Sequence, residues 1–158
     1  MESNKKEGRY SRIFAQLKEL LKKSSDADAR MATIAAVVHH KLDYFFWTGF
    51  YMLREGELTV RCYQGPVACQ ILEKGKGVCW AAVTRGETIV VEDVHLFPGH
   101  IACDSRSNSE IVVPVRDAGG EIIGVFDADS KEKGSFDLTD AFWLEKIMAL
   151  ISLPAGAL

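Results

Sequence analysis

The chain has 158 residues, of which 47% are hydrophobic, and its 19 basic and 22 acidic residues give a formal net charge of −3. A chain of this size closes one hydrophobic core, and its balanced charge lacks the basic face that nucleic acids or anionic membranes require. No apolar run approaches the roughly 18 residues that span a bilayer, and the N-terminal segment Met1–Glu7 is charged rather than apolar. We therefore expect a single cytoplasmic domain with a small ligand.

Hydrophobic periodicity and turn residues divide the chain into helices and strands. Apolar residues at helical spacing predict helices, whereas alternating runs joined by glycine-rich or acidic turns predict hairpins. Ser25 or Asp26 can cap the second helix, and Gly86 ends the third. In chain order the predicted elements are helices over 9–23 and 27–42, strands over 44–53 and 58–63, a helix over 78–84, strands over 88–92, 110–116 and 121–129, and a helix over 138–151.

This order of elements predicts an α+β fold, with an antiparallel sheet covered by helices on one face. We expect residues 1–24 to form an N-terminal helical extension, residues 25–152 the compact domain, and residues 153–158 a short tail. The sequence contains no repeat and no low-complexity linker.

A polar loop over 93–108 is longer than most connections in compact domains, and loops of this length are usually functional or disordered. Pro98 and Gly99 shape its backbone. Its reactive or charged side chains are His95, His100, Cys103, Asp104 and Arg106. The composition alone fits a functional loop and a solvated surface loop equally well.

Acidic residues occupy two predicted strands beside this loop. Strand alternation places Val125, Asp127 and Asp129 on one face, and Glu110 shares a face with Val112. Burial and mutual repulsion would raise the pKa of at least one carboxyl, as a general acid requires. The alternative is that the two aspartates end their strand and face water.

Aromatic residues cluster near the start of the first predicted strand. Alternation places Trp47, Gly49 and Tyr51 on one face, with the glycine leaving a gap between two flat rings. Such a gap could hold a methyl group, a sulfur or a cation. Ordinary core packing explains clustered aromatic residues as well.

The four cysteines should be thiols in a reducing cytoplasm, so a permanent disulfide framework is not expected, while transient redox use stays open. Cys62 alternates with Leu58 and Val60, which predicts a buried apolar residue. Cys79 begins a short helix after two lysines, and the helix N-terminus and these cations predict the most acidic thiol there.

The other two cysteines lie in predicted loops. Cys69 occupies a loop-like segment that could move. Cys103 lies near His100, which favours a thiolate, and beside Asp104, which opposes one. Three cysteines outside strands favour thiol chemistry over packing.

Five segments occur together in the order and spacing of one enzyme family. They are WTGFY at 47–51, GPVAC at 65–69, GKGVC at 75–79, DVHLFPGHIACDSRSNSEIVVP at 93–114 and GVFDADS at 124–130. On these segments the chain resembles the free methionine-(R)-sulfoxide reductases, single-domain enzymes of the GAF fold, from about Tyr44 to Ile151. Trp80 departs from the pattern, because the family usually has glycine after this cysteine.

The resemblance implies a thiol mechanism. Cys103 would attack the sulfoxide sulfur, methionine would leave, and Cys103 would become a sulfenic acid. Cys69 would condense with it to a disulfide, with Cys79 as rival or relay, and thioredoxin would restore the dithiol. His100 would assist thiolate formation or hold the loop.

The resemblance also assigns roles to the acidic and aromatic residues. A protonated carboxyl of Glu110, Asp127 or Asp129 would help the sulfoxide oxygen leave, and these acids would also bind the substrate's ammonium group. Trp47 and Tyr51 would bracket the methylsulfinyl end. A pocket closed around both ends would exclude protein substrates.

Two other kinds of function stay possible. A GAF-type domain can be a non-catalytic sensor of small ligands, although the Asn-Lys-Phe-Asp-Glu string of the cyclic-nucleotide-binding members is absent here. His95, His100 and Cys103 could hold a metal, but their spacing matches no common metal motif. We expect no tightly bound cofactor or metal, and a homodimer is possible.

Overall fold

The computed structural model describes residues 1–100 and 103–158. Its helices are α1 (Ser3–Leu20), α2 (Ala27–Lys41), α3 (Gly77–Arg85) and α4 (Leu138–Ala149). Its strands are β1 (Trp47–Arg54), β2 (Glu57–Gln64), β3 (Ile71–Leu72), β4 (Ile89–Val91), β5 (Ser109–Arg116) and β6 (Ile122–Ser130). No helix in these two described ranges is long and apolar enough to cross a membrane.

The strands form one antiparallel sheet in the order β3-β2-β1-β6-β5-β4. The hairpins β1-β2 and β5-β6 are the two that the turn residues predict, and they meet where β1 pairs with β6. The predicted α+β fold with an antiparallel sheet and flanking helices is confirmed. The short strand β3 escaped prediction, because two residues carry no periodicity.

Three helices cover the first face of the sheet and bury the larger core cluster. Helices α2 and α4 pack on the strands, and α1 packs across both, burying Tyr10, Ile13 and Leu17. Of the two predicted caps for α2, Asp26 is the one used, since its Oδ1 accepts a hydrogen bond of 2.8 Å from the Ala29 amide.

A buried polar network ties α1 to α4. The Asp140 carboxylate accepts hydrogen bonds from Lys6 Nζ at 2.5 Å, Tyr10 Oη at 2.7 Å and Tyr44 Oη at 2.5 Å. The backbone amide of Asp137 completes the set at 2.8 Å. Asp140 and Lys6 are almost fully buried, so this ion pair is well satisfied and shielded from water.

The second face of the sheet is also covered, so the prediction of one covered face is wrong. Helix α3 lies there, and its Val78 and Ala82 pack with Val112 and Val125 of the sheet in a second cluster. Gly86 ends α3 in the left-handed conformation at φ 67°. The nine residues of α3, about two and a half turns, give too weak a periodic signal to show which face of the sheet the helix will cover.

A β-bulge changes the alternation of β2. Two residues of β2 lie opposite one residue of β1 between the pairs Gly49–Tyr63 and Tyr51–Val60. Beyond the bulge Tyr63 belongs to the second face, and the half-buried Cys62 packs against the first. The prediction that Cys62 shares a face with Leu58 and Val60 is therefore wrong.

Candidate active site

A cavity of about 60 Å³ opens on the second face of the sheet, bordered by β1, β5, β6 and α3. Every predicted site residue except Cys69 lines it. Leu72, Lys76 and Ser107 line it too, although no pattern in the sequence marks them as site residues. Leu72 lies in the two-residue strand β3 and Lys76 just before α3, and the packing of such short pieces has no signal in the pattern of residues.

A disulfide joins Cys69 to Cys103 across 34 positions of sequence, with their Cα atoms 5.6 Å apart. Cys103 lines the cavity, and Cys69 directly follows the lining residue Ala68 in the sequence. The transient redox use that the cysteine content left open thus has a defined pair of cysteines. Ile101 and Ala102, which belong to the GHIACDS part of this loop, lie outside the described residues.

The aromatic residues of β1 hold the segment that carries Cys69. Trp47 Nε1 donates a hydrogen bond of 3.1 Å to the Pro66 carbonyl, and Tyr51 Oη donates one of 3.0 Å to the Cys69 carbonyl. Both rings are buried at the cavity wall. Their polar ends therefore position a loop, while their flat faces shape the cavity.

The predicted gap between the two rings does not exist. The ring centroids of Trp47 and Tyr51 lie 5.8 Å apart and the ring planes are 26° from parallel, so the rings stack on each other. A Cβ atom at Gly49 would lie 2.7 Å from Trp47 Cη2 and 2.4 Å from Tyr63 Cβ. The glycine allows close aromatic packing and leaves no slot for a bound group.

Three carboxyl groups meet at the cavity, as strand alternation predicts. Glu110 of β5 pairs with Asp129 of β6, Asp127 lies one step along the same face, and Glu110 and Asp127 are each 6% exposed. Burial, together with the charge of Asp127, holds the pKa of Glu110 and of Asp129 well above the usual range. Burial raises the pKa of Asp127 to about 6. The alternative that the aspartates simply face water is wrong for Asp127.

The pKa of the Cys79 thiol is raised, contrary to the sequence prediction that the helix N-terminus and the lysines lower it. Cys79 Sγ lies within 4.8 Å of carboxylate oxygens of Glu110 and Asp127. Burial, followed by the negative charges of these acids, raises the pKa of the Cys79 thiol well above its usual value. The α3 N-terminus cannot offset that environment, and Lys76 pairs with Glu73 at 2.8 Å.

The polar side chains near Cys103 are arranged in separate pairs. Asp104 binds Arg106 with an Oδ2–Nη2 distance of 2.7 Å, which lowers the pKa of Asp104 to about 2. Burial, and then the nearby His95, lower the pKa of His100, so its imidazole is neutral near pH 7. His100 lines the cavity but supplies no positive charge there at that pH.

The alternative metal site at His95, His100 and Cys103 does not assemble. His95 Nδ1 hydrogen-bonds to Asp93 at 2.8 Å, and the sulfur of Cys103 is in the disulfide. Within the described parts of the chain, potential metal ligands gather instead at Cys79, Glu110 and Asp127.

Trp80, the residue that departs from the family pattern, anchors α3. Its side chain is 7% exposed, and its Nε1 donates a hydrogen bond of 3.4 Å to the Leu72 carbonyl of β3. The buried indole therefore ties the first turn of α3 to the edge strand of the sheet.

Comparisons with known proteins show the family of this chain. The GAF domain family profile matches residues 24–153. The free methionine-R-sulfoxide reductase of Escherichia coli is 42% identical over 121 residues, covering 77% of this chain and 73% of that protein. GAF domain-containing protein A of Dictyostelium discoideum is 42% identical over 147 residues, 92% of each chain.

A solved structure gives the same result at the level of the fold. The free methionine-R-sulfoxide reductase of Neisseria meningitidis, solved in complex with its substrate, superposes with a TM-score of 0.85 at 40% identity, covering 90% of this chain and 85% of that one. The resemblance drawn from the sequence segments is thereby confirmed. This chain belongs to the free methionine-(R)-sulfoxide reductase family of GAF-domain proteins.

Proposed function

We propose that this protein reduces free methionine-(R)-sulfoxide to methionine, with Cys103 as the nucleophile. One observation carries the proposal: the sulfur of Cys103, already paired with Cys69, lines the same cavity as three acidic side chains of β5 and β6. A thiol that can form a disulfide beside a protonated carboxyl provides both groups that sulfoxide reduction requires. The similarity to the E. coli and N. meningitidis reductases supports this substrate.

The first step transfers the sulfoxide oxygen to the enzyme. The Cys103 thiolate attacks the sulfoxide sulfur, and a cavity carboxyl protonates the oxygen. Methionine then leaves and the oxygen stays on Cys103 as a sulfenic acid, so the substrate is reduced by two electrons and the thiol is oxidised by two. Glu110 and Asp129 are suited to donate the proton, because their raised pKa keeps them protonated near neutral pH.

The second step forms the disulfide seen in the structure. The Cys69 thiolate attacks the sulfenic sulfur of Cys103 and water leaves, which protects Cys103 from further oxidation. Cys79 is the weaker candidate for this step, because its thiol is 4% exposed among carboxyl groups and Trp80 fixes the helix that carries it. A cytoplasmic dithiol of the thioredoxin type would then reduce the disulfide by exchange.

The acids also account for a preference for the free amino acid. Asp127, with the lowest pKa of the three, is mostly ionised near pH 7 and suits the substrate's ammonium group. A peptide-bound sulfoxide lacks this ammonium group, so it cannot form the ion pair with Asp127. Trp47 and Tyr51 would contact the methylsulfinyl end from one side rather than bracket it, since their rings stack.

The decisive experiment measures NADPH consumption coupled through thioredoxin and thioredoxin reductase. The substrates are each epimer of free methionine sulfoxide and a peptide-bound sulfoxide. We expect turnover with the free R epimer alone. Equal rates on both epimers, or faster turnover of the peptide, would contradict the proposed specificity.

Two cysteine variants provide the matched pair for this assay. Cys103→Ser should abolish turnover, because serine cannot form the sulfenic acid or the disulfide. Cys62→Ser should keep the wild-type rate, because Cys62 packs on the other face of the sheet. Tight binding of the free sulfoxide without any reduction by the wild-type protein would instead favour the ligand-sensor alternative.

A further inference from the structure

The acid cluster and Cys79 form a compact set of donor atoms. Cys79 Sγ and one oxygen each from Glu110 and Asp127 lie within 4.8 Å of one another. The centre of three points so spaced lies no more than about 2.8 Å from each, which is 4.8 Å divided by √3. Zinc bonds to thiolate sulfur at about 2.3 Å and to carboxylate oxygen at about 2.0–2.2 Å. Inward shifts of at most about 0.5 Å by the sulfur and about 0.8 Å by each oxygen would therefore complete a three-donor site.

One buried oxygen in this set has no partner. Asp127 Oδ1 is shielded from solvent and forms no hydrogen bond with the described residues, while the Asp127 side chain lines the cavity. A buried acceptor without a donor is costly, and it points to a ligand that completes it. This observation is independent of the clustering of the acids.

No cation among the described lining residues neutralises the cluster. Lys76 is the only lysine or arginine of the cavity lining, and its ammonium pairs with Glu73. A thiolate with two carboxylates suits a soft or borderline divalent cation better than Mg²⁺ or Ca²⁺, which prefer oxygen ligands alone. The cavity opens beside these atoms and leaves a fourth coordination position for water.

We propose that Cys79, Glu110 and Asp127 form a binding site for one soft divalent cation, Zn²⁺ or Cd²⁺. The expected consequence is reversible inhibition, since the cation occupies the position that the proposed function gives to the substrate's ammonium group. The inhibition rests on that proposed function, whereas the binding site itself does not.

The test titrates Cd²⁺ alone into protein whose Cys69–Cys103 disulfide is intact, which leaves Cys62 and Cys79 as the free thiols. We expect one equivalent to bind, with a cadmium–thiolate charge-transfer band and release of the protons held by Cys79 and Glu110. Cys79→Ser should lose the band, and the matched variant Cys62→Ser should keep it. Persistence of the band in Cys79→Ser, its loss in Cys62→Ser, or no band in the wild-type protein would overturn the proposal.

Two further measurements separate the possible failures. Asp127→Asn should weaken Cd²⁺ binding by about tenfold or more, and unchanged affinity in this variant overturns the site even if Cys79→Ser fails to fold. Free methionine sulfoxide should displace Cd²⁺ from the wild-type protein. Binding without such displacement would keep the cation site and count against the substrate position in the proposed function.

Discussion

Two buried carboxyl groups, Asp140 and Asp127, lie on opposite sides of the sheet and differ in their hydrogen-bond partners. Asp140 is fully buried and receives hydrogen bonds from Lys6, Tyr10 and Tyr44. Asp127 is almost as buried, yet its Oδ1 has no partner among the described residues and its neighbours are two further acids and a thiol. Both side chains are aspartates at similar burial, yet Asp140 has a full set of hydrogen-bond partners and Asp127 lacks one.

This difference separates a structural acid from a ligand-binding one. A fully bonded ion pair that joins two helices defines how α1 and α4 pack, and breaking it leaves uncompensated buried groups. An acid with an open acceptor among like charges opposes folding, and the cost is recovered when a cation or a proton arrives. Partners, rather than burial alone, therefore distinguish the two roles.

The largest effect is expected on the structural side, from Asp140→Asn. Tyr10 and Tyr44 can still donate to Oδ1, but the new amide nitrogen would face two donors, the Lys6 ammonium and the Asp137 amide. We expect the free energy of unfolding to fall by about 3–5 kcal/mol, measured by urea denaturation.

The matched control for Asp140→Asn is Asp137→Asn. Asp137 is 46% exposed and also contacts Lys6, at 3.2 Å, while asparagine remains a good N-cap. Asp137→Asn should lower the free energy of unfolding by less than about 1 kcal/mol. Equal losses of unfolding free energy in the two variants would show that the burial of Asp140 adds no stability to the network.

The next largest effect is a gain in the free energy of unfolding, expected for Asp127→Asn. Asp127 has a pKa of about 6 in the folded protein against 3.8 ordinarily, so the folded state holds the extra proton between these values. The free energy of unfolding contributed by this group therefore falls as pH rises from about 4 to about 6, and stays low above that. Asparagine cannot lose a proton, so the variant should gain on the order of 3 kcal/mol relative to the wild type between pH 4 and pH 8.

Urea denaturation of both proteins at the two pH values measures this difference, with the disulfide kept intact throughout. Titrating groups distant from the cavity cancel in the comparison, because they are common to both proteins. Glu110 and Asp129 lose the charge of Asp127 in the variant, which lowers their pKa and adds to the gain at the higher pH. The same variant should turn over free methionine sulfoxide far more slowly. A stability difference that does not change with pH would mean that Asp127 ionises normally, which would remove the contrast with Asp140.

Sequence patterns could predict the acid cluster around Asp127, because strand alternation is regular. Period-two spacing was enough to place Asp127 and Asp129 on one face and to bring Glu110 beside them. The hairpins and helices followed from the same local periodicity. Lys6 and Asp140, 134 positions apart, had no local signal, since nothing near either residue shows that helices α1 and α4 will meet.

Prediction failed wherever a long-range contact overrode a local rule. The bulge in β2 moved Cys62 to the other face, and packing of α3 on the acids reversed the expected acidity of Cys79. The gap expected over Gly49 is filled by the stacked indole. A helix N-terminus or a strand period predicts the local backbone and the face on which a side chain lies. The neighbouring side chains, which determine pKa values and cavities, come from distant parts of the sequence.

The smallest effect compares two tyrosines, one on each side. Tyr44→Phe removes a hydrogen bond to the charged Asp140 and should cost about 1.5–3 kcal/mol, whereas Tyr51→Phe removes one to the neutral Cys69 carbonyl and should cost about 0.5–1.5 kcal/mol. The effect on activity should be larger in Tyr51→Phe than in Tyr44→Phe, because Tyr51 positions the segment that carries Cys69. Stopped-flow measurement of disulfide formation after one turnover should be slower in Tyr51→Phe and unchanged in Tyr44→Phe. If Tyr44→Phe slowed that step as much, the α1–α4 network would be coupled to the cavity, and the division between a structural and a functional acid would not hold.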